Sequence, residues 1–251
     1  MKIGAQLYTV RDFTQTKEDF ADTIKKVADI GYECVQVSGI GSEISFSDVA
    51  KICMMHNIEI AITHTPLNRI IEDTENVIAG HIEMGAKYIG LGAIPCGPRG
   101  TIDDYVQFVS SIAPAVVAIK NAGLKFMYHN HEFEFFKIGK KTGIDFLAEN
   151  LPEAGFTLDT YWVQLGGGDP AMWLRKLAGR VDVIHLKDLV IVDGKQHMCE
   201  IYEGNLNWCS IFDAAKDAGV KYAMVEQDDC YGRDPFECLQ TSFNNLKGVV
   251  M

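Results

Sequence analysis

Short apolar runs alternate with longer amphipathic ones along this chain, and that alternation sets the reading of the fold. The apolar runs fall at residues 2–9, 32–38, 58–64, 87–94, 124–131, 155–160, 181–187 and 221–227. Several hold almost no polar residue, as expected of parallel strands buried on both faces. They recur about every 30 residues, the length of one strand–helix unit. Between them the apolar spacing becomes helical. Phe20, Ile24, Val27 and Ala28 form one stripe. Tyr105, Phe108, Val109, Ile112, Val116 and Ile119 form a second, and Phe236, Leu239, Phe243 and Leu246 a third. Five such segments stop at a glycine just before the next apolar run: Gly31, Gly85, Gly123, Gly179 and Gly219. A left-handed residue there ends a helix at low cost. Pro114 lies inside the second stripe and predicts a kink.

Eight strands that alternate with helices must pair in parallel. The rival is an open doubly wound sheet, which usually carries a glycine-rich phosphate loop after its first strand. Here Leu7-Tyr8-Thr9-Val10-Arg11-Asp12 follows instead. No linker or shift of composition divides the chain, and its 251 residues match the length of one barrel. The pattern therefore predicts an α/β fold, a single (β/α)₈ TIM barrel domain over residues 1–251.

Charge and cysteine content narrow the setting. The net charge of −11, with no long Lys/Arg run, opposes binding to nucleic acid. The seven cysteines (34, 53, 96, 199, 209, 230 and 238) form no C-x-x-C pair, which fits a reducing compartment. The first residues lack the hydrophobic stretch of a signal peptide, and no apolar run reads as long enough to cross a membrane. The expectation is a soluble cytoplasmic protein without a membrane partner.

A barrel of this kind places its reacting groups at the C-terminal ends of its strands. Those ends supply Gln6 and Tyr8, His64, then Tyr128-His129-Asn130-His131-Glu132-Phe133-Glu134-Phe135, Asp159-Thr160-Tyr161-Trp162, His185-Leu186-Lys187-Asp188 and Glu226-Gln227-Asp228. The last four strands thus each offer a ligand on one rim. Glu, Asp, His and Glu make three carboxylates and one imidazole, an oxygen-rich set that suits one divalent ion, Mn²⁺ first, with Mg²⁺ or Co²⁺ as alternatives. Strand alternation pairs His185 with Lys187, Glu226 with Asp228 and His129 with His131 on one face.

In these motifs the chain resembles the xylose isomerase-like barrel superfamily of sugar phosphate isomerases and epimerases. Tyr-His-Asn-His-x-x-Glu-Phe, the Asp159, His185 and Glu226 segments and Gln6-Leu7-Tyr8-Thr9-Val10-Arg11 carry the resemblance. It implies metal ligands at Glu134, Asp159, His185 and Glu226. Glu132 is the alternative on the fifth strand, and Glu134 is preferred because it fills the recurrent Glu-Phe place. It also implies a small-molecule carbohydrate substrate and, by analogy, a homo-oligomer. The stretch Glu203-Gly204-Asn205-Leu206-Asn207-Trp208 resembles a Gly-Glu-Gly-x-x-Asp-Trp loop, but Tyr202 stands where the first glycine belongs.

The chemistry expected is proton abstraction beside a sugar carbonyl, with Glu134 and Glu226 as the acid/base pair. His64, His131, Trp162 and Lys187 are the expected substrate contacts. His129 reads as a supporting or structural residue. Residues 189–201, with the turn Val192-Asp193-Gly194-Lys195, form an insert at the rim. The alternative is a lyase or dehydratase of the same superfamily, in which the enolate expels a β-substituent. A multi-zinc endonuclease needs more ligands and a basic groove, and a non-catalytic barrel does not need the carboxylate rim.

Overall fold

The computed structural model describes residues 1–97 and 100–248; residues 98–99 and the last three of the expected domain, 249–251, lie outside the described residues. Eight parallel strands close into a barrel in the order β1-β8-β7-β6-β5-β4-β3-β2. They are β1 (Lys2–Gln6), β2 (Cys34–Val37), β3 (Glu59–His64), β4 (Tyr88–Leu91), β5 (Lys125–His129), β6 (Gly155–Asp159), β7 (Val183–Leu186) and β8 (Tyr222–Val225). Each lies within one of the eight apolar runs, so the (β/α)₈ expectation holds. The outer layer comprises α1 (Lys17–Ile30), α2 (Phe46–Met55), α3 (Leu67–Glu72), α4 (Thr74–Met84), α5 (Ile102–Asn121), α6 (Gly143–Asn150), α7 (Thr160–Leu165), α8 (Pro170–Lys176), α9 (Trp208–Ala218) and α10 (Pro235–Leu246).

Alternation along each strand separates two apolar layers. On β5, Phe126 and Tyr128 join the core between barrel and helices, while Met127 joins a smaller cluster with Cys34, Ile62, Val183 and Met224. That smaller cluster fills the barrel interior, which is a packed core and not a pore. It leaves no room at β1: a Cβ on Gly4 would lie 2.6 Å from the Met224 sulfur and 2.7 Å from Cys34. Helix α5 runs through Pro114 as a single helix. By length and apolar content it alone, among the described residues, is long enough to span a bilayer. It buries Tyr105, Phe108, Ile112, Ala115, Val116 and Ile119 in the protein.

Most strands end before their apolar runs do, and at β1 and β6 side-chain capping explains the difference. Leu7, Tyr8 and Thr9, expected in the first strand, belong to a 3₁₀ turn over Leu7–Phe13. The Gln6 side-chain oxygen accepts from the Tyr8 amide at 3.1 Å, so that amide needs no neighbouring strand. At β6 the Asp159 Oδ1 accepts from the Trp162 amide at 3.0 Å and starts α7.

The insert folds as an antiparallel hairpin, Asp188–Val192 with Lys195–Cys199. Its turn residues Asp193 and Gly194 both take positive φ, as a two-residue hairpin turn demands. At its root Asp188 is fully buried and gathers the following loop. Its carboxylate accepts from the amides of Leu189 (2.8 Å), Tyr202 (3.0 Å), Gly204 (3.1 Å) and Leu206 (3.3 Å), and from the Trp208 indole (2.7 Å). Tyr202, standing where the resembled loop has a glycine, takes a left-handed conformation with φ +72°. The Asp188 carboxylate fixes the amides of the loop that follows.

Two stability predictions follow from buried polar groups. Asp188→Ala strands five donors at once and should cost about 3 kcal/mol or more in a denaturant melt. A loss below about 1 kcal/mol would contradict this account of the loop. His81 is buried beneath β3, bonded to the Val77 carbonyl (2.7 Å) and the Thr63 hydroxyl (2.8 Å). Burial lowers its imidazole to about 4. The unfolded chain then takes up the proton first as pH falls, so stability is lost between about pH 6.5 and pH 4. The loss is on the order of 3 kcal/mol. His81→Gln should flatten that limb of the stability–pH curve, and an unchanged slope would refute the assignment.

Candidate metal centre and substrate mouth

The register of the last strands decides what meets at the mouth. Asp159, the final residue of β6, pairs in register with His185 on β7. Glu226 directly follows β8, its amide bonded to the Leu186 carbonyl at 3.1 Å. His129 ends β5. Ligand atoms of His129, Asp159, His185 and Glu226 all lie within 4.8 Å of one another, and all four residues are buried. His185 Nδ1 stands 2.9 Å from Glu226 Oε2 and 3.5 Å from Asp159 Oδ2, and His129 Nε2 stands 3.4 Å from the same Asp159 oxygen.

Each of these side chains is oriented by a partner behind it. The Gly92 carbonyl lies 2.8 Å from His129 Nδ1, and the Gln36 side-chain oxygen lies 2.7 Å from His185 Nε2. Both partners only accept, so those ring nitrogens carry the proton. His129 Nε2 and His185 Nδ1 are left facing the carboxylates. Asp159 spends Oδ1 on the α7 cap and turns Oδ2 inward. Its amide is in turn held by the Asn130 side-chain oxygen at 3.0 Å.

Lys187 completes the electrostatics. Its fully buried ammonium lies 3.2 Å from Asp159, 3.0 Å from Glu226 and 3.0 Å from both oxygens of Asp228. Burial alone would raise the Asp159 and Glu226 carboxyls, but Lys187 and the imidazoles hold both well below the usual range. Burial and the Glu226 charge push Asp228 up to about 7. Burial disfavours a charged His185, yet Glu226 and Asp159 together lift it to about 9. Three carboxylates thus crowd the Lys187 ammonium and the His185 imidazole, which they hold protonated. Nitrogens of His129 and His185 and oxygens of Asp159 and Glu226 converge on one point. Two nitrogen and two carboxylate donors there fit one divalent cation, which would displace the His185 proton.

Glu134, the expected ligand of the fifth strand, does not join this group in the structure. Past His129 the chain leaves the strand and coils into a 3₁₀ turn over Glu132–Phe135. There Glu134 is fully buried, accepting from the Tyr128 hydroxyl and from the His131 amide at 2.7 Å. Tyr128 packs on Phe108 of α5, so this carboxylate sits on the helix side of β5. Burial pushes it up to about 8. His129, read from sequence as a support, stands in the cluster instead. Glu132 is half-buried on the same turn and is also absent from the cluster.

The expected substrate contacts do surround the mouth. His131 stacks on Phe133 at 5.1 Å and lies 5.3 Å from Trp162, whose ring also faces the Lys187 ammonium at 5.1 Å. The His64 ring lies 5.2 Å from that of His129 and 5.7 Å from that of His185. Tyr8 packs against the Arg11 guanidinium. Buried polar atoms without a partner among the described residues concentrate here: Gln6 Nε2, Gln36 Nε2, His64 Nε2, His131 Nδ1 and Trp162 Nε1. Such a ring of unpaired donors and acceptors suits a ligand rich in hydroxyls. Gln36 and Asn130 were missed in the sequence. Alternation on β2 marks Gln36 as a polar residue in an apolar run, the one available signal.

Known structures share this architecture. A sugar phosphate isomerase/epimerase from Parabacteroides distasonis superposes with a TM-score of 0.81 at 24% identity, over 100% of this chain and 96% of that one. The probable 3-DHS dehydratase AsbF of Bacillus anthracis gives 0.76 at 14% identity, over 98% of each. The IOLI protein with a bound zinc atom gives 0.77 at 14%, over 100% and 98%. At these identities the likeness concerns the fold. No curated protein matches the sequence. The sequence pattern of one family does match, over residues 24–241, from α1 into α10, and by that match the chain belongs to the xylose isomerase-like TIM barrel family.

Proposed function

We propose that this protein is a divalent-metal-dependent epimerase or isomerase that moves a proton next to the carbonyl of a carbohydrate. The observation that carries the reading is the buried His129, Asp159, His185 and Glu226 cluster at the barrel mouth, with Lys187 lodged among its carboxylates. A divalent ion held by these four residues would supply Lewis-acid polarisation of the substrate carbonyl. Glu226, kept ionised by Lys187 and His185, accepts the proton. With Glu134 turned to the helix side, Asp228 is the carboxylate at the mouth beyond Asp159 and Glu226, and we assign it the return of the proton. Its side chain is about a quarter exposed, so it exchanges protons with solvent. Lys187 and His131 hold substrate oxygens, and Trp162 with the His131–Phe133 stack forms the wall against the ring. The cysteines are all free, which supports a reducing cytoplasmic setting.

The donor set also bears on the metal. The preference for Mn²⁺ rested on three carboxylates and one imidazole. With His129 in the fourth place the set is two imidazoles and two carboxylates, which keeps Mn²⁺, brings Co²⁺ and Zn²⁺ level with it and disfavours Mg²⁺. Elemental analysis of protein purified without chelator should find about one such ion per chain, on the four-ligand geometry of one site. His129→Ala should weaken its binding by roughly 10-fold or more, while Glu134→Gln should leave it within a few-fold. Equal losses in the two variants would argue against His129 in place of Glu134 as the ligand from the fifth strand.

Turnover should respond to the two carboxylates. Glu226→Gln keeps an oxygen donor, so at saturating metal it should lower turnover by roughly 10²–10⁴, the range for lost general acid–base catalysis. Activity within a few-fold of the parent would rule that role out. A panel of ketoses, aldoses and their phosphates incubated in D₂O separates the outcomes. Deuterium at carbon without elimination identifies the epimerase or isomerase, and loss of a β-substituent identifies the lyase. No exchange on any carbohydrate would sink both.

A further inference from the structure

Beside the metal centre lies a second chamber that the proposed proton transfer does not use. It occupies about 390 Å³ between the ends of β2 and β3 and the helices α2, α3 and α4. Val37, Ile40, Ile44, Phe46, Val49 and Met84 give it a broad apolar wall, and Arg69 with the hydroxyls of Ser38, Thr63 and Thr65 adds a polar side. An apolar cavity of roughly 150 Å³ is enough for benzene, so the volume of this half-open chamber is large enough for an aromatic ring.

His64 joins the chamber to the reaction centre. It lines the chamber wall. Its ring is also within 6 Å of the His129 and His185 rings, at centroid separations of 5.2 and 5.7 Å. Its Nδ1 lies 3.4 Å from the Ser38 hydroxyl, and its buried Nε2 has no partner among the described residues. The one imidazole thus borders both the chamber and the histidines of the cluster.

The roof is fixed in place. The Gly41 amide bonds to the Thr14 carbonyl at 2.9 Å, and the Gln15 side chain bonds to the Gly39 carbonyl at 2.7 Å. The approach is close enough that a Cβ on Gly41 would lie 2.0 Å from the Gln15 carbonyl oxygen. A tied roof over a broad apolar wall is a preformed pocket, which binds without first paying to order a loop.

We infer that the carbohydrate acted on carries an apolar substituent, of about the size of one aryl group, and that this chamber holds it. The inference rests on the carbohydrate reading above. Binding is measured calorimetrically on the Mn²⁺-loaded protein with phenyl and methyl β-D-glucopyranoside, and with phenol alone as a probe of the chamber. The phenyl glycoside should bind at least about tenfold tighter than the methyl one, as burial of a ring's apolar surface implies. Ile40→Trp, which fills the chamber from its roof, should erase the difference and leave methyl glycoside binding unchanged. Ser42→Trp, at an exposed roof position, serves if the first variant melts early. A phenyl glycoside no tighter than the methyl one, or a preference that survives the filled chamber, overturns the inference. If neither glycoside binds, phenol decides. A crystal with phenol in the chamber upholds the apolar site while the carbohydrate reading fails, and a chamber that phenol does not enter overturns the inference itself.

Discussion

Everything at the mouth depends on the register of four neighbouring strands. Side chains of a strand alternate between its faces, so a slip of one residue would turn a ligand away from the axis. Pairing of Asp159 with His185 puts a carboxylate and an imidazole side by side. Pairing of Leu186 with Val225 then brings Glu226 up on the far side of the same imidazole. The apolar residues buried beneath these ends lock that register, since Met127, Val183 and Met224 fill the barrel below. The packed interior is thus the support on which the polar rim stands.

Crowded charge is the cost of that convergence. Two fully ionised carboxylates inside a barrel are tolerable only with cations at contact distance. Lys187 supplies one such cation, and the His129 and His185 nitrogens that face the carboxylates converge where a bound ion would supply another. The same crowding explains why neighbouring acids behave differently. Asp159 and Glu226 touch Lys187 and stay ionised, whereas Glu134, buried with only a hydroxyl and an amide, is pushed toward its neutral form.

The barrel was legible because buried parallel strands are written as uninterrupted apolar runs. The rim was legible where a polar residue closes such a run, as Asp159, His185 and Glu226 do. Legibility failed past the end of β5. Once the chain leaves the strand at Asn130, alternation no longer tells which way a side chain points, and a recurrent Glu-Phe pair outweighed the residue that still obeyed it. His129 is the last strand residue and shares its face with Met127, so the periodicity accounts for its place in the cluster. The chamber behind His64 was not legible at all. It is bounded by α2, α4 and a loop pinned to residues 14–15, and no local pattern records how distant segments enclose a space.

One contact gives the centre a property that its ligands alone would not. Gln36 belongs to β2 and His185 to β7, and two strands, β8 and β1, stand between them around the wall. Their side chains nevertheless meet at 2.7 Å across the lumen. The imidazole is therefore held by a tie-rod spanning the barrel, and its tilt records the shape of the cross-section. A barrel squeezed toward an oval would shorten or stretch that tie and rotate the ring, so the geometry of the metal centre and the roundness of the barrel are a single mechanical quantity.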